Sequence, residues 1–159
     1  MILDRDGVIN IDSGHPHKIE EMCLTSYSSF LIPLLRDLNA FVVVCTNQSG
    51  IGRGLFSEFQ MEEFNRLLMN KLKSAFDFQI HSLIACPHTP NDDCLCRKPK
   101  PGMLYAISEN YRTPFHNMLF IGDSDSDFLA AKSAGTSFEF VQSPNLSQAI
   151  MNWYLCDPD

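Results

Sequence analysis

The sequence predicts an α/β protein, a Rossmann-like three-layer fold with a mostly parallel central sheet, in which residues 1–159 form one domain. Short apolar runs alternate with segments of helical periodicity along the chain. The clearest run, Ala40–Cys45, is continuous and rich in β-branched residues, as are strands buried on both faces of a parallel sheet. Polar clusters follow four of the runs, at the sheet edge where open parallel sheets bind their ligands.

The elements can be assigned in chain order. Met1–Leu3 predicts a short first strand, and Tyr27–Leu38 predicts a helix because its leucines recur on one side. After Ala40–Cys45 comes a loop, and then Ser57 with Gln60 forms a capping box that begins a long helix. The remaining predictions are a strand at Ile80–Cys86, a loop at 87–100, a helix at Pro101–Tyr111, a strand at Asn117–Ile121, a helix at Asp125–Ala134, a strand at Phe138–Val141 and a helix at Leu146–Leu155.

Composition excludes several classes of function. The formal net charge of −7 argues against a nucleic-acid groove or a membrane-surface patch. No window approaches the roughly 20 apolar residues of a membrane span, and no signal peptide is visible. We therefore expect a cytoplasmic monomer that binds neither nucleic acid nor membrane. An anionic substrate is still compatible with the charge, because a bound divalent cation reverses the local sign.

Two acidic residues follow the first strand. Asp4 and Asp6 lie two positions apart, so in extended backbone they share a face and Arg5 turns away. Carboxylates this close repel each other and need a cation or a shared proton, and Mg²⁺ prefers such oxygen ligands. The pair suits phosphoryl transfer, because one carboxylate can attack phosphorus while the other exchanges a proton.

Other polar residues at the strand ends can assist this chemistry. Thr46 can donate a hydrogen bond to the phosphoryl group, and Lys98 can supply a positive charge. Asp123 can complete a Mg²⁺ site, with Asp127 behind it or as an alternative ligand. Each residue alone has a simpler interpretation as a cap, a strand-end hydrogen bonder or a surface lysine. Their order and their placement at strand ends favour the catalytic interpretation.

A second metal site is indicated in the loop 86–98. The pattern C-x-H-x5-C-x-C offers four N and S ligands, which suit a closed tetrahedral Zn²⁺ site of structural type. Such a site leaves no open position for chemistry, so its role is to fold the loop that carries Arg97 and Lys98. The alternative is a set of reduced thiols beside a surface histidine. The four candidate ligands are Cys86, His88, Cys94 and Cys96.

The motifs also resemble a known family. DRDGVIN at 4–10, TNQSGIGRG at 46–54, CPH at 86–88, CRKPKPGM at 96–103 and GDS at 122–124 resemble the heptose bisphosphate phosphatase and histidinol-phosphatase branch of the haloacid dehalogenase superfamily. The resemblance extends from about Met1 to Gly135. It implies a Mg²⁺-dependent phosphatase with an aspartyl-phosphate intermediate, a zinc-stabilised loop and no large cap domain.

The resemblance also implies a role for each site residue. Asp4 is the nucleophile and a Mg²⁺ ligand, Asp6 is the acid/base and binds Mg²⁺ through its backbone carbonyl, and Asp123 is the third protein ligand. Thr46 and Lys98 hold the transferred phosphoryl group. Cys86, His88, Cys94 and Cys96 bind Zn²⁺. The substrate is contacted by Asp12, Ser13, Gly14, His15, Asn47, Gln48, Ser49 and Arg97.

The motifs favour one substrate over another. Thr46–Gly54 and Lys100–Met103 look like the heptose enzymes, which remove the 7-phosphate of D-glycero-D-manno-heptose 1,7-bisphosphate on the way to lipopolysaccharide or other surface sugars. The five-residue spacer between His88 and Cys94 looks like the histidinol-phosphatases, and loops of this kind vary readily. Histidinol phosphate is therefore the alternative substrate. A nucleic-acid 3′-phosphatase and a non-catalytic metal-stapled binding module are less favoured.

Overall fold

A parallel five-stranded sheet forms the centre of the computed structural model, which describes residues 1–155. The strands are β1 (Ile2–Leu3), β2 (Val43–Asn47), β3 (Ser82–Cys86), β4 (Leu119–Gly122) and β5 (Ser137–Phe140). Their order across the sheet is β3-β2-β1-β4-β5. The helices are α1 (Ser28–Asp37), α2 (Ser49–Gly52), α3 (Glu58–Phe76), α4 (Gly102–Tyr111), α5 (Asp125–Ala134) and α6 (Leu146–Leu155).

Helices cover both faces of this sheet, which gives the three predicted layers. One face packs against α1, α3 and α6 through buried residues that include Leu31, Leu68 and Ile150. The other face packs against α4 and α5 through Met103 and Ala130. Burial on both faces explains why the strands are continuous apolar runs in the sequence.

The shortest strand lies in the middle. In β1, Ile2 is paired with Val43 of β2 on one side and with Phe120 of β4 on the other. All neighbouring strands are parallel, so their carboxyl ends lie at one edge of the sheet. The chain that leaves β1 at Asp4 therefore enters the centre of that edge.

Most predicted elements are present, with small differences. The capping box of α3 is confirmed, since the Ser57 side chain accepts a bond from the Gln60 N–H and the Gln60 side chain accepts one from the Ser57 N–H. The predicted loop after β2 instead contains the one-turn helix α2, because the Arg53 N–H donates to the Ser49 carbonyl. A 3₁₀ turn, Pro90–Asp92, lies within the predicted loop at 87–100.

The long connections hold little further structure. Between β1 and α1 the regular structure consists of isolated bridges and one 3₁₀ turn, Ile19–Glu21, without an α-helix or a further sheet. Across residues 1–155, no helix combines the length and the apolar character needed to cross a bilayer.

Candidate active site

A polar cavity of about 250 Å³ opens at the carboxyl edge of the sheet. A larger groove, of about 570 Å³, lies between α3 and β3, but its lining is mainly apolar and it lacks the carboxylate cluster described below. Residues from the ends of β1, β2 and β4 and from the loops at 12–15 and 97–98 meet in the smaller cavity. Its lining comprises Asp4, Asp6, Asp12, Gly14, His15, Thr46, Asn47, Ser49, Arg97, Lys98, Asp123, Ser124 and Ser126.

Three carboxylates converge beside the cavity. One oxygen from each of Asp4, Asp123 and Asp127 lies within 4.8 Å of the others. Lys98 is buried among them: its Nζ lies 2.7 Å from Asp4 Oδ1 and 2.6 Å from Asp127 Oδ1, and it donates to the Cys45 carbonyl at 2.9 Å. The single charge of Lys98 is therefore paired with two of the three carboxylates, Asp4 and Asp127, so the cluster holds more acidic than basic groups.

This excess of negative charge is reflected in the pKa values. Burial, together with the charge of Asp127, outweighs the attraction of Lys98 and raises the pKa of Asp4 to about 7. Burial and Asp127 likewise raise the pKa of Asp123 to about 6. Burial acts to lower the pKa of Lys98, but Asp4, Cys45 and Asp127 outweigh it and raise that pKa above its ordinary value. The cluster therefore favours an added proton or a cation.

A hard divalent cation fits this donor set. Asp4 and Asp123 line the cavity, and their carboxylate oxygens are the ligands that Mg²⁺ prefers. Asp127 is fully buried and its Oδ2 already accepts bonds from the backbone and hydroxyl of Ser124, at 3.2 and 2.7 Å. Asp127 therefore fixes Lys98 and the start of α5, while the other two carboxylates face the cavity.

The Asp123 carboxylate can lie against the DRDG motif at 4–7 because Gly7 has no side chain. Gly7 has a φ of +84°, and a Cβ at this position would lie 1.8 Å from Asp123 Oδ2. Any larger residue would have to displace that carboxylate. The glycine of the DRDG motif thus makes room for a residue 116 positions later in the chain.

The side chain of Asp6 does not join the carboxylate cluster. Both of its oxygens accept bonds from Arg5, at 3.0 Å from Nε and 2.7 Å from Nη2, and Gln48 Nε2 donates to Oδ2 at 2.9 Å. Asp4 and Asp6 line the cavity and Arg5 does not, as expected, but Arg5 bends back to bind the Asp6 carboxylate, which was not expected. The two-residue alternation holds only within the strand, which ends at Leu3, so the loop beyond it can bring Arg5 and Asp6 together.

The residues after β2 mostly orient their neighbours. Gln48 Nε2 also donates to Thr46 Oγ1 at 2.9 Å, so the Thr46 hydroxyl proton is free to point elsewhere. The Asn47 amide exchanges two bonds with the backbone of Lys98, at 3.0 and 3.1 Å. Asn47 and Ser49 line the cavity, whereas Gln48 does not. Gln48 and Asn47 therefore support the side chains and backbone of other site residues.

The loop at 12–15 forms one wall. Asp12 Oδ1 accepts a bond from the Gly14 N–H at 2.9 Å, which closes a tight turn. Gly14 and His15 both have positive φ, and both line the cavity together with Asp12. Ser13 is not part of the lining. Arg97 also lines the cavity and donates from Nη1 to the His88 carbonyl at 3.1 Å.

The four candidate zinc ligands also come together. The Sγ–Sγ distances among Cys86, Cys94 and Cys96 are 3.2 to 3.6 Å. His88 Nδ1 lies 3.5 Å from the Cys86 sulfur and 3.2 Å from the Cys96 sulfur. Ligands of a tetrahedral Zn²⁺ ion, with bonds of about 2.0–2.3 Å, are roughly 3.5–3.8 Å apart. The donor set suits that metal, and the two closest pairs, at 3.2 Å, lie slightly inside its ligand spacing.

Sequence reasoning missed some members of the site. Ser124 and Ser126 line the cavity through the first turn of α5, and their hydroxyls lie 2.9 Å apart. The Ser-x-x-Asp pattern from Ser124 to Asp127 is a capping box and was available in the sequence. The partnership of Arg5 with Asp6 had no comparable signal.

Comparisons with known proteins agree on one type of enzyme. A family model described as HAD-hydrolase-like matches residues 95–152. The chain is 37% identical, over 84% of its length and 76% of the other chain, to D-glycero-alpha-D-manno-heptose-1,7-bisphosphate 7-phosphatase of Photorhabdus laumondii. It is 40% identical, over 85% of its length and 77% of the other, to the corresponding beta-heptose enzyme of Pseudomonas putida.

A solved structure resembles the fold over nearly the whole chain. The D,D-heptose 1,7-bisphosphate phosphatase of B. bronchiseptica, complexed with magnesium and phosphate, superimposes with a TM-score of 0.83. The match covers 96% of this chain and 85% of the other at 35% identity.

Proposed function

Because the chain belongs to the heptose-1,7-bisphosphate 7-phosphatase family of haloacid dehalogenase-like hydrolases, we propose that it removes the 7-phosphate of D-glycero-D-manno-heptose 1,7-bisphosphate with the help of Mg²⁺. One observation carries the assignment of the site. The carboxylates of Asp4 and Asp123, the ammonium group of Lys98 and the Thr46 hydroxyl all line one cavity, although they come from distant parts of the chain.

The reaction proceeds in two steps with a covalent intermediate. An oxygen of Asp4 attacks phosphorus, the ester P–O bond breaks, and the leaving sugar oxygen takes a proton from Asp6. Water then attacks the phosphorus of the aspartyl phosphate and gives a proton to Asp6, and the bond between phosphorus and Asp4 breaks. Inorganic phosphate leaves, and both aspartates return to their starting states.

Charge at the site supports this sequence of steps. Lys98 orients Asp4 through its Oδ1 and places positive charge beside the phosphoryl group. The Thr46 hydroxyl can donate to a phosphoryl oxygen, since its own oxygen already accepts from Gln48. A Mg²⁺ ion, which the similar B. bronchiseptica protein holds together with phosphate, would be bound by Asp4, Asp123 and the Asp6 carbonyl and would neutralise charge on the phosphate.

The walls of the cavity suit a small polar substrate. Asp12 and His15 offer partners for sugar hydroxyls, and Arg97 offers a cation for the second phosphate. The bond from Arg97 to the His88 carbonyl ties this cation to the zinc loop. We propose that Zn²⁺ on Cys86, His88, Cys94 and Cys96 keeps this loop folded, and that it takes no part in the chemistry.

Phosphate release from heptose 1,7-bisphosphate in the presence of Mg²⁺ tests the proposal. Asp4→Asn should keep the fold and lower kcat at least about 1,000-fold, because the nucleophile is lost. Asp37→Asn, which alters an exposed carboxylate paired with Arg36, is the matched control and should leave kcat unchanged. Activity of Asp4→Asn near the unmutated level would show that Asp4 is not the nucleophile.

Histidinol phosphate should be assayed beside the heptose, since the short spacer between His88 and Cys94 is the one feature that favours it. The proposal expects a higher kcat/KM for the heptose bisphosphate. Equal or faster turnover of histidinol phosphate would reverse this order. Efficient release from a duplex with a 3′-phosphate would instead indicate a nucleic-acid phosphatase.

A further inference from the structure

Arg5 is the largest fully buried side chain outside the apolar core, and it joins Asp6, which lines the cavity, to two segments outside the cavity. Nε and Nη2 bind the two oxygens of Asp6, at 3.0 and 2.7 Å. Nη2 also donates to the Pro16 carbonyl at 3.1 Å, and Nη1 donates to Asn65 Oδ1 of α3 at 2.9 Å. The guanidinium group lies 4.9 Å from the ring centre of Phe64.

A buried arginine of this kind fixes the carboxylate it binds. The planar guanidinium group binds both oxygens of a carboxylate at once. The orientation of the Asp6 carboxylate is therefore fixed relative to that of Arg5. Rotation of Asp6 would leave N–H donors of Arg5 without partners in a buried place, which is unfavourable. The anchors at Asn65 and Pro16 hold the guanidinium group itself.

The contacts also distinguish the two oxygens of Asp6. Each carboxylate oxygen has two acceptor positions. Oδ2 uses both, for Arg5 Nη2 and for Gln48 Nε2, whereas Oδ1 uses one, for Arg5 Nε. The Asp6 side chain is 15% exposed and lines the cavity. Oδ1 therefore keeps a free position for a proton.

We propose that Arg5 is a positioning residue that holds Asp6 so that Oδ1 is the atom that exchanges the proton. This inference rests on the proposed function, in which Asp6 gives a proton to the leaving oxygen and takes one from water. Nη2 of Arg5 binds both Asp6 Oδ2 and the carbonyl of Pro16, which follows the cavity wall at 12–15. The same guanidinium group thus aligns the proton donor with the wall that contacts the substrate.

Arg5→Lys is the first test, because it keeps the charge and removes the fork. A lysine cannot bind both oxygens of Asp6 in the same way, so kcat for heptose 1,7-bisphosphate should fall about 10- to 100-fold, a fraction of what complete loss of an acid/base group costs. Arg36→Lys is the matched control. Arg36 also pairs with the aspartate that follows it, but on the surface, and its replacement should leave kcat unchanged.

A double-mutant cycle separates positioning from a merely structural role. If Arg5 acts through Asp6, then adding Arg5→Lys to Asp6→Asn should change the residual kcat by less than about twofold. Asn65→Ala, which removes one anchor of Arg5, should lower kcat less than Arg5→Lys does, and again only when Asp6 is present. This second variant tests the same coupling if Arg5→Lys does not fold.

The outcomes can be told apart. If Arg5→Lys lowers kcat by the same factor with and without the Asp6→Asn change, the inference is overturned, as it is by unmutated activity of folded Arg5→Lys. Asp4→Asn is measured in parallel. If Asp4→Asn stays active, the proposed function fails. If Asp4→Asn is inactive while the effects of Arg5 and Asp6 are additive, only the inference about Arg5 fails.

Discussion

Replacement of Gly7 by alanine should weaken the binding of Mg²⁺ and lower kcat, while it leaves most of the stability of the fold. The new Cβ would lie 1.8 Å from Asp123 Oδ2 and 2.5 Å from its Cγ. Contacts below 3.0 Å are essentially never seen, so the carboxylate must retreat by at least about 1.2 Å. Bonds from oxygen to Mg²⁺ are held near 2.0–2.1 Å, so a shift of this size removes the ligand.

The cost to the fold should be much smaller than the cost to activity. The atoms that clash are at the far end of a side chain that can rotate, so the backbone can stay in place. What remains is the strain of alanine at a φ of +84°, of order 1–2 kcal/mol. Gly135→Ala carries the same kind of strain at a φ of +78° with nothing within 4 Å, and is the matched control.

Phosphate release as a function of Mg²⁺ concentration, together with urea unfolding in EDTA, measures both effects. We expect similar losses of unfolding free energy in the two variants. In Gly7→Ala alone, kcat should fall about 100-fold, as for a 1 Å misplacement of a catalytic group, and half-maximal activity should require more Mg²⁺. A Gly7→Ala enzyme with the Mg²⁺ dependence of Gly135→Ala would refute the placement of Asp123 as a metal ligand.

Three further outcomes can be checked. Lys98→Met leaves buried carboxylates without a partner and should lower the free energy of unfolding, measured in urea, by about 3–5 kcal/mol. The control Lys100→Met removes only an exposed ion pair with Asp93 and should cost less than about 1 kcal/mol. Cys94→Ser should reduce bound zinc from about one ion per chain, measured by elemental analysis, and lower the Tm; normal zinc content would contradict the assignment. The folded pKa values of Asp4 (about 7) and Asp123 (about 6) lie above 3.8, so the folded state binds protons more tightly. The metal-free protein should therefore lose stability as the pH rises from about 4 to 7, and stability that rises over this range would contradict the pKa shifts.

The elements were predictable wherever the signal is local. Strands buried on both faces are continuous apolar runs, and the capping box at Ser57 and Gln60 specifies the start of α3. The one-turn helix α2 was not predictable. It is held by bonds from the Gln48 N–H to the Cys86 carbonyl and from the Gly52 N–H to the Pro87 carbonyl, and these partners lie more than 30 positions away.

In the site, too, only the features with a local sequence signal were predictable. Asp4 and Asp123 could be placed at one edge because each directly follows a strand. The supporting contacts of Gln48 and Asn47 could not, since their partners, Asp6 and Lys98, lie 42 and 51 positions away. Sequence patterns therefore located the groups that face the cavity, but not the hydrogen bonds that orient them.

The strand order explains why the short motif at 4–7 contacts several distant parts of the chain. From β1 the chain builds outward to β2 and β3, and it then crosses back to place β4 on the other side of β1. The crevice at such a reversal is where open α/β sheets bind ligands. Because β1 is central and ends at Leu3, which pairs with Val44 of β2 and Ile121 of β4, the motif at 4–7 begins directly in that crevice. Within the motif, Asp4 pairs with Lys98 and Arg5 binds Asn65 of α3. Asp6 accepts a bond from Gln48, and Gly7 leaves room for Asp123.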